Sequence, residues 1–246
     1  MAKTVAAIIC CAGPGSRFGG KRRKQYVDVA GRAVFLRSVE LFSNRPDVKQ
    51  ILLGISEEDE ELVSVKWGPN LKFFSVKTFF GGAERFDTVN KGIALLNDDI
   101  DLVAVHDACR CCVTDDIVER TIAKASETGA AMAACPVTAT IKKVQDEIIL
   151  ETIDRSDLYE AQTPQIFDKA LLLKAYANLP NVDQSKISDD SQLVEALGEK
   201  VSIVETDSSN IKITKPSDIP IAEAILRSRP KPKAEGYTGP FIEAQW

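Results

Sequence analysis

The chain has 246 residues, 44% of them hydrophobic and 27% charged, with a formal net charge of −5. This composition excludes low-complexity disorder and collagen, and the acidic balance gives no footprint for bulk nucleic-acid binding. No apolar run approaches the ~18 residues that a membrane span requires.

Residues 5–11 form a continuous apolar run, as expected for a parallel strand covered on both faces. The apolar stretch 5–12 is only 8 residues long and runs straight into a glycine loop, so a buried strand is expected there rather than a signal peptide. With no export signal, a cytoplasmic protein with reduced thiols is expected. Residues 13–24 are rich in glycine and basic side chains. Residues 34–42 place Phe35, Val39 and Phe42 on one stripe of a helix. Residues 50–55 predict a second strand, and Ser56 followed by acidic residues at 57–61 predicts a capped helix start. Residues 71–80 are a third apolar stretch, ending at Gly81-Gly82.

The spacing of Phe86, Val89, Ile93 and Leu96 predicts a helix over 85–96. A strand is expected at 102–106, a helix at 114–128 ended by Gly129, and a buried strand at 130–137. Residues 138–153 alternate and carry a polar turn, which suggests a projecting hairpin. Helices are expected at 169–179, from Ser188 or Asp189 to Leu197 with Gly198 at C′, and at 217–227. Short strands are expected at 201–205 and 211–214. The alternation predicts an α/β fold with a mostly parallel twisted sheet and helices on both faces. One domain over 1–227 is expected, with an arm at about 138–160. The tail 228–246, with its Pro-Lys-Pro-Lys run, is expected to be extended or disordered.

The glycine-rich segment carries the clearest chemistry. Ligands in open α/β sheets bind beyond the carboxyl ends of strands, and glycines let backbone N–H groups approach an anion. The window from Gly13 to Lys24 holds five cations (Arg17, Lys21, Arg22, Arg23 and Lys24) and no carboxylate. A Walker A loop is a poor fit, because Arg22 stands where a Ser or Thr should be. A dinucleotide-binding loop also fits poorly, because Phe18 replaces its third glycine. The arrangement suits a polyphosphate, with Arg17 and Lys24 supplying charge. Asp107 follows an apolar strand and should sit at its carboxyl end, a natural position for a Mg²⁺ ligand or an acceptor from a substrate hydroxyl. His106, the single histidine, would point the other way and serve structure.

Ala12-Gly13-Pro14-Gly15-Ser16-Arg17, followed by Lys24-Gln25-Tyr26, resembles the opening of the sugar-nucleotidyltransferase class. Further motifs follow in order: Gly81-Gly82-Ala83-Glu84-Arg85, Val105-His106-Asp107-Ala108-Cys109-Arg110, Thr138-Ala139-Thr140, Asp154-Arg155-Ser156, Gln162-Thr163-Pro164-Gln165 and Asn210-Ile211-Lys212-Ile213-Thr214. Together they resemble the 2-C-methyl-D-erythritol 4-phosphate cytidylyltransferases of non-mevalonate isoprenoid synthesis. The resemblance implies a Rossmann-like nucleotidyltransferase fold and transfer of a cytidylyl group from CTP to a polyol phosphate, with release of pyrophosphate. It implies Lys24, Lys212 and Arg17 as the cations on the α-phosphate and triphosphate. Ala12, Gly13, Gly15, Ser16, Gly82, Thr88 and Ala108 would bind nucleotide. Asp107, Arg110, Thr140, Arg155, Thr163 and Ser188 would face the polyol phosphate. Mg²⁺ on Asp107 and a homodimer exchanging arms are also implied, with no nucleic-acid or membrane partner.

Some positions depart from the family pattern. Arg23 replaces a usual Pro, Ala139 a usual Asp, Cys109 and Cys111 a usual Ala and Pro, and Ser188 a usual Thr, and no Gly precedes Asn210. Ala139 removes a carboxylate beside the arm, which keeps ribitol 5-phosphate as an alternative substrate. The six cysteines raise a reading of another class, a non-catalytic thiol-rich metal-binding or redox-sensing protein. Adjacent pairs and Cys-x-Cys-Cys match no common thiolate site, so buried thiols acting as small hydrophobes are expected.

Overall fold

The computed structural model describes residues 3–15, 18–19 and 23–230. The expected tail lies almost wholly outside them. β1 (Val5–Cys10) leads through the glycine loop and a short turn at Lys24–Tyr26 to a small hairpin, β2 (Asp28–Val29) and β3 (Arg32–Ala33). Then come α1 (Val34–Ser43), β4 (Val48–Ile55), α2 (Glu60–Phe73), β5 (Val76–Phe80), α3 (Arg85–Ile93), β6 (Leu102–Asp107), α4 (Asp115–Thr128) and β7 (Ala130–Pro136). The chain continues with β8 (Ile141–Gln145), β9 (Ile148–Ile153), β10 (Tyr159–Asp168), α5 (Lys169–Ala177), α6 (Ser191–Glu195), β11 (Ser202–Glu205) and α7 (Asp218–Ser228).

Seven strands form one sheet in the order β11-β7-β10-β6-β1-β4-β5. Only β10 runs antiparallel to its neighbours. The strand period of two sorts β1 between two cores. Val5, Ala7 and Ile9 pack with α1, α2 and α4 through Phe35, Phe42, Trp67 and Ile117. Ala6 and Ile8 pack with α3, α5 and α6 through Val89, Leu172 and Leu193. This is the expected sheet with helices on both faces. A third cluster joins Phe18, Val29 and Val34 to Cys109, Cys111, Cys112, Ile213 and Ala222.

Three expectations need correction. Residues 71–80 are not one apolar element, because α2 continues to Phe73 through Gly68-Pro69. Val63, Trp67 and Leu71, spaced by four, hold that helix in the core against its breakers. The turn at Ser75, with φ of +54°, then starts β5. Residues 211–214 are not a strand. The helix expected from Ser188 or Asp189 begins only at Ser191, although the Asp189 carboxylate does accept from the backbone N–H of Gln192 at 3.2 Å.

β10 has no counterpart among the predicted elements, because polar Gln162, Thr163 and Gln165 interrupt its apolar pattern. All three are buried, and each has partners. Gln162 Oε1 accepts from Thr206 Oγ1 and Asn210 Nδ2, both at 2.8 Å. Gln165 Oε1 accepts from the backbone of Asp190 and Ser191.

The projecting hairpin is present: β8 pairs with β9 and with no strand of the large sheet. Its two turn residues, Asp146 and Glu147, both have positive φ, as a tight hairpin turn requires.

Candidate active site

The register aligns the carboxyl ends of three neighbouring strands. Cys10 pairs with Asp107 on one side and Gly54 on the other. Just beyond these ends lies a cavity of about 240 Å³, the place the topology favours for a ligand. The glycine loop and the turn after β5 form its opposing walls. Gln25 Nε2 donates to the carbonyls of Cys11 and Gly13, which shapes the first wall. Gly15 has φ of +67°, and a Cβ there would lie 3.5 Å from Lys24 Cγ. In the second wall, a Cβ on Gly81 would sit 2.4 Å from Ala12 Cβ, so only glycine allows the two walls to meet this closely.

Lys24 and Lys212 both line this cavity, together with Ala12, Gly13, Gly82, Thr88 and Asp107. Residues 188 positions apart in the chain are therefore brought to one cleft. Lys212 sits on an irregular segment, yet its neighbours still alternate: Ile213 is fully buried and its N–H donates to Cys109 O at 2.9 Å. Asn210 anchors the start of that segment by donating to Gln162 Oε1 and Thr163 O. Asp218 anchors its end by accepting from the N–H groups of Thr214 and Lys215.

Asp107 is the electrostatic centre. Lys212 Nζ lies 2.7 Å from Oδ2, Arg85 Nε 3.0 Å from Oδ1, and Arg110 Nε 3.7 Å from Oδ2. Burial alone would push this carboxyl up; Arg85, Lys212 and Arg110 outweigh it and hold the group well below the usual carboxylate range.

The other expected site residues are distributed as follows. Ser16 and Arg17 lie outside the described residues. Ala108 is fully buried behind the wall. Arg110 binds the carbonyls of Asn210 and Ala161, tying its own loop and the Asn210 segment to β10 beside Asp107. Thr88 Oγ1 accepts from Gly82 N at 3.0 Å, so its hydroxyl buttresses the turn. Thr163 Oγ1 accepts from Asp107 N at 3.1 Å and contacts His106 Nδ1 at 3.0 Å, a position behind the carboxylate. Ser188 borders a small side cleft with Glu84 and Arg85, and its hydroxyl is 3.1 Å from Gln192 Oε1. Thr140 and Arg155 are on the arm, away from this chain's cavity, where Arg155 Nη1 donates to Thr138 O.

Arg85 lies within the Gly81-Gly82-Ala83-Glu84-Arg85 motif, which by itself assigns it no role. A cation placed directly after Gly81-Gly82, at a helix start facing a strand-end carboxylate, was the available signal. The cysteines behave as small hydrophobes. All six are free, and burial pushes the thiols of Cys10 and Cys109 up to about 12 and about 11. Among the described residues no group of three or more His, Cys, Asp or Glu side chains could hold a metal ion.

A family model described as 2-C-methyl-D-erythritol 4-phosphate cytidylyltransferase matches residues 5–228. The chain belongs to this family. The enzyme of that name from Endomicrobium trichonymphae is 43% identical over 228 residues, covering 91% of this chain and 99% of its own. The one from Alkaliphilus oremlandii is 35% identical, covering 91% and 95%. The crystal structure of 4-diphosphocytidyl-2C-methyl-D-erythritol synthase from Anaerococcus prevotii superposes with a TM-score of 0.78 at 30% identity, covering 92% of this chain and all of that one. As a cytidylyltransferase of this family the chain is an enzyme, and its cavity lies in the nucleotidyltransferase fold where phosphate chemistry is expected. No described helix is long and apolar enough to cross a membrane.

Proposed function

We propose that this cytidylyltransferase transfers the cytidylyl group of CTP to 2-C-methyl-D-erythritol 4-phosphate in the cytoplasm. The observation that carries this reading is the convergence of Lys24 and Lys212 on one cavity at the carboxyl ends of β1 and β6, with Asp107 between cations. The substrate's phosphate oxygen attacks the α-phosphorus of CTP, a new P–O bond forms, and the bond to pyrophosphate breaks. Such transfer needs alignment and neutralisation of developing charge more than covalent help from the protein. Lys24 and Lys212, with Arg17 from the glycine loop, supply that charge. Gly82 and Thr88 form the wall proposed to meet the cytosine.

The proposed metal is Mg²⁺ on Asp107. Both carboxylate oxygens already accept from cations, yet a carboxylate has about four lone-pair sites. Mg²⁺ characteristically combines one or two carboxylates with phosphate oxygens. The donor set therefore fits once Lys212 turns to the nucleotide. When bound, the ion would neutralise triphosphate charge.

The polyol phosphate is proposed to meet Arg155 and Thr140 from the partner's arm, with Asp107 and Arg110 on the opposite side. Arg suits a phosphate because its planar fork binds two oxygens. Exposed apolar side chains on the arm (Val144, Ile148, Ile149 and Leu150) support a second copy of this chain as their cover.

The test offers CTP and Mg²⁺ with 2-C-methyl-D-erythritol 4-phosphate or ribitol 5-phosphate and measures pyrophosphate release. Release is expected with the first substrate. Release with ribitol 5-phosphate alone would move the reading to that substrate, and release with neither would sink it.

A further inference from the structure

We propose that Arg85 is a positioning residue: by bridging Asp107 to Asp190, it neutralises the carboxylate that holds Lys212 and so frees Lys212 to meet the nucleotide. The proposal rests on the nucleotidyl-transfer reading above.

Lys212 has two competing demands. In the structure it is 2.7 Å from Asp107, whereas catalysis needs its charge on a phosphate. Opposite charges this close in a poorly solvated cleft attract strongly. The strength of the hold depends on how much of Asp107's charge is already balanced from its other side. Arg85 provides that balance. Its Nε meets Asp107 Oδ1 at 3.0 Å, and its Nη1 meets Asp190 Oδ2 at 2.6 Å. A planar guanidinium can serve two carboxylates at once, whereas a lysine ammonium is a single point charge.

The far end of the bridge is rigid. Asp190 has a fully buried side chain, its Oδ1 accepts from Tyr176 OH at 2.5 Å, and its N–H donates to Gln165 Oε1 at 3.0 Å. The near end is placed by the start of α3, where the Asp87 carboxylate accepts from Glu84 N at 3.1 Å. The guanidinium thus spans β6, α3 and the segment before α6 without a flexible anchor. When Lys212 turns to the triphosphate, Arg85 remains on Asp107 and keeps that carboxylate aimed.

A structural explanation must be separated from this one, because removing Arg85 alone leaves Asp190 buried and without its cation. The double variant Arg85→Gln/Asp190→Asn removes both charges together and keeps side chains able to hydrogen-bond. Replacing a buried ion pair by neutral groups is often tolerated. Its thermal melt, and its KM and kcat for both substrates, would be measured beside wild type. The expected result is a folded protein whose KM for CTP rises at least ~10-fold, while KM for the polyol phosphate stays within about threefold. A CTP KM within twofold of wild type overturns the proposal, as does a loss confined to the polyol phosphate. Should the double variant fail to fold, Arg85→Lys decides. It keeps the charge but cannot bridge, and a CTP KM raised about threefold supports the proposal, whereas an unchanged one refutes it. Wild type inactive in the same assay would instead remove the nucleotidyl-transfer reading.

Discussion

His106 directly precedes Asp107 on β6, and strand alternation sends its ring to the opposite face. There it meets the edge of Phe42 at a centroid distance of 5.5 Å, with Nδ1 beside Thr163 Oγ1. Burial pushes the imidazole down to about 3, with Asp107 opposing the shift and Arg110 and Arg85 reinforcing it. The sign of the stability effect follows. Between about 6.5 and about 3 the unfolded chain binds a proton that the fold refuses, so stability is full above pH ~6.5 and falls with acid. The expected loss by pH 4 is roughly 3 kcal/mol. Urea midpoints at pH 7 and pH 4 would show it, and His106→Asn, which keeps a polar partner for Thr163 without titrating, should narrow the difference. An equal pH response in the variant would assign the acid sensitivity to other groups. The same residue pair shows how much a sequence reveals locally: alternation predicts the opposite roles of His106 and Asp107, but two of the three cations around Asp107, Arg85 and Lys212, come from distant segments.

At the scale of elements, the arm is the piece whose job this chain alone does not display. β8 and β9 carry apolar side chains into solvent, and Arg155 and Thr140 lie away from the cavity of their own chain. If each site is completed by the partner's arm, two differently damaged subunits should complement each other. Lys212→Ala is expected to fold and lose at least ~100-fold in turnover, as loss of a charge-stabilising donor usually causes. Mixed one to one with Arg155→Ala and allowed to exchange subunits, it should recover up to about a quarter of wild-type activity, because half the dimers are mixed and each holds one intact site. No recovery after verified exchange would mean that each chain completes its own site. The arm was legible from alternation around a polar turn, whereas β10 was not. A strand inserted between two others can bury Gln162, Thr163 and Gln165 only because distant segments supply their partners, β6 for Thr163 and residues beyond 188 for the two glutamines, and local pattern does not contain those partners.

At the scale of the molecule, the sheet must hold its site-bearing ends together while its opposite end is tied down. Arg45, almost fully buried after α1, does part of that tying. It reaches Asp47 before β4 at 2.8 Å, and Asp115 and Glu119 of α4 at 2.6 and 2.8 Å. The two α4 carboxylates are mostly exposed, so their share is discounted for solvent screening. Arg45→Ala should still cost about 2 kcal/mol, chiefly through Asp47 and the lost packing of the stem. For a chain of this size that corresponds to a fall of about 4–8 °C in Tm, read from a thermal melt, with turnover at low temperature unchanged. An unchanged Tm would mean that the cluster contributes nothing net.

The α/β alternation, the buried first strand, the glycine and basic loop, the carboxyl-end position of Asp107 and the order of motifs that marks the family are all legible in the amino-acid chain. These are properties of local period and local chemistry, which neighbouring residues suffice to specify. That α2 runs through Gly68-Pro69, that residues 211–214 need no strand partner, and that Thr88 and Thr163 use their hydroxyls inside the protein emerge from the folded arrangement. It alone placed Arg85 between Asp107 and Asp190. Each of these depends on groups brought close by folding, where burial and charge partners far along the chain outweigh local propensity.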